Sequence, residues 1–362
     1  MSRKILILGA SYGSLLGTKL LLAGHDVKLA CLPEEAELIN NEGTRVRMPV
    51  RGRSELVEID SRTLPGQLSA DVPSAVDPSE CDLVTLAMQE PSYGLPGVRE
   101  LVEAVARAEV PMMSIMNMPP LPYLARIGGV DADASRHCYT EPSVWDCFDP
   151  ALLTLCSPDP QAFRPSAEQP NVLQVRLPTN FKAARFDSDA HTAILRDLEA
   201  DIDASRFRTE DDDIELPVKL RVHDSVFVPL AKWSMLIAGN YRCVQRDGIR
   251  TISEAVHSDL DATRSIYEWV GEVCKRLGAT AENLVPFEKY ATAAESLNSP
   301  SSVARTLFAG ARQIERVDLL VQSLAAQKGM QSDEVDEIVA LVRARLEANS
   351  AEKELEGVGR AS

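Results

Sequence analysis

Hydrophobic residues change their period at residue 9. Ile5 to Leu8 form an unbroken apolar run, which predicts a strand buried on both faces. Small residues from Gly9 to Gly13 predict a turn, and a helix starts near Ser14 with Leu15, Leu16, Leu20 and Leu21 placed to face a core. Gly24 stops that helix, and Val27–Cys31 predicts a second strand. Strand, glycine turn, helix and strand bring a helix N-terminus, with its unpaired N–H groups and positive dipole end, to the mouth of a sheet. A dinucleotide pyrophosphate is received by a unit of this kind.

Downstream, Glu34–Glu42 predicts a charged helix closed by Gly43, and Arg45–Val50 and Glu55–Ile59 predict short strands. Asp82–Leu86 and Pro111–Met116 predict buried strands on either side of a helix over 98–108. Residues 172–177 and 182–186 predict a hairpin turned by Pro178-Thr179-Asn180, followed by a helix over 188–204. The acidic run Glu210–Asp213 predicts a solvated junction. Beyond it the pattern is helical, with helices expected over 221–246, 252–277, 285–296, 301–327 and 332–348. The last has Ser332 as N-cap and Val335, Ile338, Val339, Val342 and Leu346 on one stripe. The polar end, 349–362, is expected to be disordered. The predicted class is α/β: a Rossmann-type doubly wound sheet domain over 1–213, then an all-helical substrate or catalytic domain over 214–348.

The turn carries the first candidate chemistry. Gly9, Ser11, Gly13 and Gly17 stand where G-x-G-x-x-G is usual, one residue short and with serine in the middle. Gly9, Ala10, Ser11, Tyr12 and Gly13 are the candidate cofactor contacts, with the Ser11 hydroxyl able to donate to a phosphate. Gly13 and Gly17, four apart on one helix face, permit close packing on the first strand. The same five residues read G-x-S-x-G, the nucleophile elbow of serine hydrolases. That elbow needs strands and an oxyanion loop ahead of it, and eight residues precede Gly9, so dinucleotide binding is the expectation.

Ligands of open parallel sheets lie beyond the carboxyl ends of the strands, here the loops after Leu8, Cys31, Leu86 and Met116. Asn117, between a buried strand and Pro119-Pro120, is placed to orient a nicotinamide or a substrate, or else to cap a turn. Lys232 is the one charge between Asp224 and Arg242. A protonated lysine in a water-poor setting can donate to a developing alkoxide, the alternative being a snorkelling side chain. Asn240 follows eight residues later, about two helical turns along the same face.

Composition narrows the partners. A net charge of −16 over 362 residues argues against nucleic acid or an anionic membrane. No apolar segment reaches spanning length and no secretory segment is seen, so a cytoplasmic location is expected. Seven cysteines without C-x-x-C spacing and five histidines without ligand spacing predict reduced thiols and no metal. Met112, Met113, Met116 and Met118 are expected in the core.

These residues resemble the ketopantoate reductases, of the wider 6-phosphogluconate-dehydrogenase-like group of NAD(P)-dependent reductases, as a divergent member. The similarity covers most of residues 3–345 and is strongest at the glycine turn, at Cys81–Leu86, at Lys232 and around 300–330. The resemblance implies a Rossmann domain plus a helical domain, and hydride transfer from a nicotinamide to a 2-oxo acid. It implies Lys232 as general acid, Asn117 as a contact to cofactor and substrate, Asn240 as a second asparagine on the lysine's helix, and Ser301 as a substrate-carboxylate contact. The family's glutamate twelve residues after that serine falls on Gln313, a polar asparagine falls on Leu236, and a lysine falls on Ala87. These departures point to a keto acid with a more apolar side than ketopantoate. The arginine that grips the 2′-phosphate of NADPH falls on Leu32, followed by Pro33-Glu34-Glu35, so NAD is slightly favoured over NADP. Arg45 and Arg47 reach that phosphate only if their loop folds back, and Arg242, Arg305 and Arg312 are either spare cations for a carboxylate or, the more ordinary case, surface charges. The partner is a small keto acid, and a homodimer is compatible with the resemblance. Two alternatives stay open: an opine-type dehydrogenase reducing an imine, which a neutral Gln313 would suit, and a non-catalytic NAD(P)-binding regulator.

Overall fold

Ile5, Leu6, Ile7 and Leu8 are all buried, and a run that is apolar on both faces belongs in the middle of a sheet. They form β1 (Lys4–Leu8). The structure, a computed structural model, describes residues 2–209 and 212–359. The chain forms two compact units: residues up to Arg126 with Ser143–Pro229, and Ile127–Pro142 with the residues from Leu230 onward.

In the first unit β1 is followed by β2 (Asp26–Ala30), β3 (Arg45–Met48), β4 (Val57–Asp60), β5 (Leu68–Asp71), β6 (Leu83–Leu86), β7 (Met112–Ile115) and β8 (Leu153–Ser157). Then come β9 (Gln161–Phe163), β10 (Val172–Leu177), β11 (Phe181–Ala184), β12 (Phe207–Arg208), β13 (Asp213–Ile214) and β14 (Leu220–His223). Eight strands make one sheet in the order β14-β11-β8-β7-β6-β1-β2-β5. Neighbours run parallel except β8 and β11. The order reverses between β1 and β6, where an open sheet offers a crevice at its carboxyl edge. β4, β3, β10 and β9 form a second sheet. The helices of this unit are α1 (Ala10–Leu22), α2 (Pro33–Glu42), α3 (Val98–Arg107), α4 (Leu121–Leu124) and α5 (Asp189–Ala204). Leu15, Leu16, Leu20 and Leu21 of α1 are buried as expected. At about 1.5–3 kcal/mol each, they outweigh the ~1 kcal/mol that a capping side chain would add, and α1 has none.

The second unit contains α6 (Lys232–Met235), α7 (Ile252–His257), α8 (Leu260–Leu277), α9 (Phe287–Ala294), α10 (Ser302–Phe308), α11 (Val317–Gln327) and α12 (Asp333–Gly359). Residues 127–142 join it through hydrogen bonds at the end of α11. Gln327 exchanges two with the Asp131 backbone (2.9 and 3.0 Å), and Lys328 Nζ donates to Gly129 O (2.7 Å).

Several elements differ from expectation for identifiable reasons. The helix expected from Ser14 starts at Ala10, because Gly9 alone reverses the chain. Residues 172–177 and 181–184 are no hairpin: β10 pairs with β3 and β9, whereas β11 pairs with β8 and β14 in the other sheet. Residues 220–223 form a strand rather than helix, with the alternating burial of period two. Because β14 lies in the main sheet, the sheet unit continues to Pro229 instead of ending at 213, where Glu210 lies outside the described residues. The helix expected over 252–277 breaks where Asp259 caps α8 through Ala262 N (2.9 Å). That over 301–327 breaks at 309–316. The end expected to be disordered from 349 is helical to Gly359, with Asn349 buried and donating to the carbonyls of Leu307 and Ala311 (2.8 and 2.6 Å). Residues 360–362 lie outside the described residues. No helix among the described residues is long and apolar enough to cross a membrane, and none of their acidic, histidine or cysteine groups forms a metal-holding cluster.

Lys19 of α1 is 1% exposed, and its Nζ donates to Leu216 O and Pro217 O at 3.1 Å each. Burial, reinforced by the nearby Lys219 charge, lowers its pKa to about 7. A neutral amine still has two N–H groups, enough for both carbonyls. Above pH 7 the unfolded chain therefore holds a proton that the folded chain has shed, so this group makes stability rise with pH. The window extends to about pH 8.5, where unfolded thiols ionise and oppose the trend. Denaturant midpoints at pH 6.5 and 8.5 are expected to show a shallower rise for Lys19→Met than for the parent chain. Equal slopes would contradict the assignment.

Candidate functional site

Gly9 is the whole link between β1 and α1. Its φ is +106°, a conformation that side chains resist. A Cβ placed there would sit 2.6 Å from Met88 Cγ and 2.9 Å from the Ala87 carbonyl oxygen. The Gly9 N–H bonds Ala30 O (3.0 Å), and the Ala87 N–H bonds Leu8 O (2.9 Å). The link thus lies between the carboxyl ends of β2 and β6, at the reversal of strand order.

No side chain caps α1 and no acidic residue occupies its first turn. The N–H groups of its first turn are therefore left to an external acceptor, and the dipole favours an anion there. Ser11 is half-buried, and its hydroxyl makes no hydrogen bond among the described residues. Ala10 is buried, whereas the Tyr12 ring packs edge-on against Phe181 (centroids 6.4 Å apart), so Tyr12 offers this site its backbone only. At Gly13 a Cβ would stand 2.6 Å from Ile7 Cγ2, and at Gly17 the nearest contact would be an ordinary 3.5 Å to Val27. Close approach of helix and strand therefore rests on Gly13.

At the carboxyl end of β2, Leu32 is 68% exposed and Glu35 meets Arg164 at 2.6 Å. Burial and the Glu35 charge push the Cys31 thiol up to about 12. Arg47, on β3, bonds Glu58 (2.6 Å), and Arg45 lies opposite Asp60 in the β3–β4 pair. The arginine beside Glu35 is thus Arg164, after β9. Sequence inspection missed it because the two residues are 129 positions apart with no local pattern linking them. Past β6, Glu90 is 2% exposed, a buried carboxylate that was also passed over, its only signal the irregular Gln89-Glu90-Pro91. Asn117 is half-buried just beyond β7, on the same sheet edge as Gly9, and the four neighbouring methionines are buried as expected.

The remaining candidates belong to the helical unit. Lys232 is half-buried at the start of α6, beside the buried Trp233 and Ser234. A π turn follows over Leu236–Asn240, in which the Tyr241 N–H reaches back five residues to Leu236 O. Asn240 is half-buried, and its side-chain amide makes no hydrogen bond among the described residues. Ser301 is 2% exposed. Its hydroxyl donates to Asn240 O (2.6 Å) and accepts from Ala304 N (3.2 Å). Ser301 therefore caps α10 and braces Asn240, and its proton is already engaged. Gln313 is exposed in the link between α10 and α11, while Glu315 is buried. Of the spare cations, Arg242 is a clamp, donating to Ala255 O (2.9 Å), Ala238 O (3.3 Å) and Thr263 Oγ1. Arg305 donates to Pro300 O, and Arg312 is exposed.

The structure thus brings Gly9–Gly13 and Asn117 to one edge of the sheet unit. It carries Lys232 and Asn240 on one interrupted helix, joins Ser301 to the Asn240 carbonyl, and leaves Gln313 exposed in the link after α10. A recess of about 1090 Å³ opens between residues 50–57 and 212–219, and no candidate residue lines it.

No protein-family model and no curated protein sequence matches the chain. Solved structures do. The chain is similar to 2-dehydropantoate 2-reductase from Methylococcus capsulatus, with a TM-score of 0.66 at 11% identity over 96% of this chain and 97% of that one. It is similar to D-mandelate dehydrogenase, solved with NADH and anilino(oxo)acetate, with a TM-score of 0.63 at 14% identity over 96% and 99% of the chains. A dimeric ketopantoate reductase from Staphylococcus aureus matches with a TM-score of 0.57 at 10% identity over 96% and 99%. The protein has the fold of the ketopantoate reductases, a Rossmann domain plus a helical domain, at wide sequence divergence.

The glycine contacts make opposite predictions for one substitution at two sites. Gly13→Ala is expected to cost about 1–3 kcal/mol through the clash with Ile7. Gly17→Ala is expected to be neutral or to gain up to about 1 kcal/mol of helix propensity. Denaturant unfolding of both variants checks this, and equal effects would contradict the asymmetry.

Proposed function

We propose that the protein is a cytoplasmic, NAD(P)-dependent reductase of a 2-oxo acid, with NAD favoured over NADP. The observation that carries this reading is the pairing of Lys232 and Asn240 on one interrupted helix, with Ser301 bracing the Asn240 backbone. An uncapped, acid-free helix N-terminus beyond a glycine that no Cβ can replace suits the pyrophosphate of a dinucleotide.

A bound reduced nicotinamide supplies the hydride. The Lys232 ammonium hydrogen-bonds the keto oxygen and gives its proton to the alkoxide, so that C2 gains a hydride, oxygen gains a proton and a 2-hydroxy acid results. In a site that excludes water on closing around substrate, such an ammonium would act strongly on the developing charge. Asn117 and Asn240 orient cofactor and substrate through their amides. Ser301 acts through Asn240, which it holds, rather than by touching a carboxylate itself. The exposed Gln313 lends the imine-reducing alternative no support, and a half-buried lysine on the helix that carries Asn240 favours catalysis over a purely regulatory role.

The cofactor preference follows from charge at the end of β2. Leu32 offers no cation to a 2′-phosphate, and Glu35 repels one while accepting from a ribose hydroxyl. Arg164 already has its charge matched by Glu35, which lowers its pull on a phosphate. The partner is a small 2-oxo acid. A second copy of the chain, as in the dimeric Staphylococcus aureus protein, is compatible with the reading.

Steady-state kinetics with NADH and a panel of 2-oxo acids, among them ketopantoate and phenylglyoxylate, test the proposal. Lys232→Ala is expected to lower kcat by about 10²–10⁴-fold while the NADH dissociation constant stays within a factor of two to three. Turnover that survives the substitution would end the reading.

A further inference from the structure

A regular helix would not align the two residues on which the proposed function rests. Two turns of α-helix take about 7.2 residues, so a residue eight positions on overshoots by about 80°. The i→i+5 pattern of the π turn absorbs one extra residue, and eight residues then complete two turns. Asn240 returns to the side of the helix that carries Lys232. The π turn is therefore what makes one face out of these two side chains.

Such a turn disturbs the carbonyl ladder, and buried carbonyls need donors. Side chains supply them along this segment. The Tyr290 hydroxyl donates to Met235 O (3.2 Å), at the entry to the turn. Arg242 donates to Ala238 O (3.3 Å), Cys243 Sγ contacts Gly239 O (3.5 Å), and Ser301 donates to Asn240 O (2.6 Å). Tyr290 is the most revealing of the four. A Cβ at Gly239 would lie 1.8 Å from its hydroxyl oxygen, so the phenol occupies the space that a side chain inside the π turn would fill. Its ring is fixed by stacking on Tyr267 (centroids 5.3 Å apart, planes 18° apart), and Tyr267 is tied to Val285 O (2.8 Å). The phenol is 6% exposed and burial raises its pKa, so it remains a donor at working pH.

We propose that Tyr290 is a positioning residue: its hydroxyl, wedged into the space left by Gly239, holds the π turn that sets Asn240 on the face of Lys232. The inference rests on the function proposed above. It adds a requirement that the lysine and asparagine alone do not contain, namely a tyrosine–glycine pair separated by 51 positions in sequence.

The test compares Tyr290→Phe, Gly239→Ala, their double variant, Tyr267→Phe and Lys232→Ala in the full chain, with NADH and the best 2-oxo acid of the panel. Tyr290→Phe removes the donor and keeps the ring, whereas Gly239→Ala evicts the hydroxyl and keeps the tyrosine. Both are expected to lower kcat by about 100-fold, to shift the pH dependence of kcat, and to leave NADH affinity unchanged. The double variant is expected to be no worse than the poorer single, since both act on one wedge. Tyr267→Phe, which loosens the same ring pair without touching the turn, serves as the structural control. It is expected to lower Tm and leave kcat within a factor of three. A crystal structure of Tyr290→Phe is expected to show the Tyr241 N–H bonded four residues back and Asn240 rotated away. If Tyr290→Phe behaves like Tyr267→Phe while Lys232→Ala is inactive, the wedge is wrong and the reductase reading stands. If Lys232→Ala is active, the reading itself fails and this inference falls with it.

Discussion

A single residue without a side chain lets β1 turn directly into α1, and the carboxyl edge of the sheet is built around that contact. Gly9 can take a φ of +106°, and its missing Cβ leaves room for Met88 and the Ala87 carbonyl. Gly13, one turn later, seats the helix against Ile7. With those two contacts the uncapped end of α1 lies at the mouth of the crevice between β1 and β6, on the edge that also carries Asn117. A larger residue at either position would lift the helix and move its uncapped end away from the sheet edge.

The β1–α1–β2 unit was legible in the sequence because all its determinants are local: an apolar run, small residues and a leucine stripe within 30 positions. The errors fall where pairing is nonlocal or where one residue interrupts a period. β10 and β11 look like two arms of a hairpin, yet they enter different sheets, and only partners far away in sequence decide that. Residues 221–246 have helical composition throughout. The alternation of Leu220 and Val222 occupies too few residues to stand out as a strand. Asp259 splits one long helical pattern by capping α8, a role a helix-wide average cannot show. The membership of 127–142 in the helical unit involves bonds to Gln327 and Lys328, 196 and 199 positions away.

Candidate side chains were legible by type and less so by role. Lys232 and Asn240 were expected as a pair on one face, but the π turn between them, with Tyr290 donating to Met235 O at its entry, has no signature in residue spacing. Ser301 was expected as a carboxylate contact and a helix cap, two compatible roles; the structure shows the cap and adds a bond to Asn240 O that spacing does not reveal. Arg242, expected as a spare cation, is bound to carbonyls of its own helix and of α7. Arg164, not anticipated at all, pairs with Glu35 just beyond the end of β2.

Isotope transfer reads out the proposed passage of hydride from a nicotinamide to the C2 carbonyl of a 2-oxo acid. NADH and NADPH, each deuterated at the transferable C4 position, are incubated separately with the protein and the 2-oxo acid panel, and the products are weighed by mass spectrometry. The predicted result is a 2-hydroxy acid carrying one deuterium at C2, formed faster from NADH than from NADPH. Bound cofactor with no labelled hydroxy acid from any member of the panel would contradict the account.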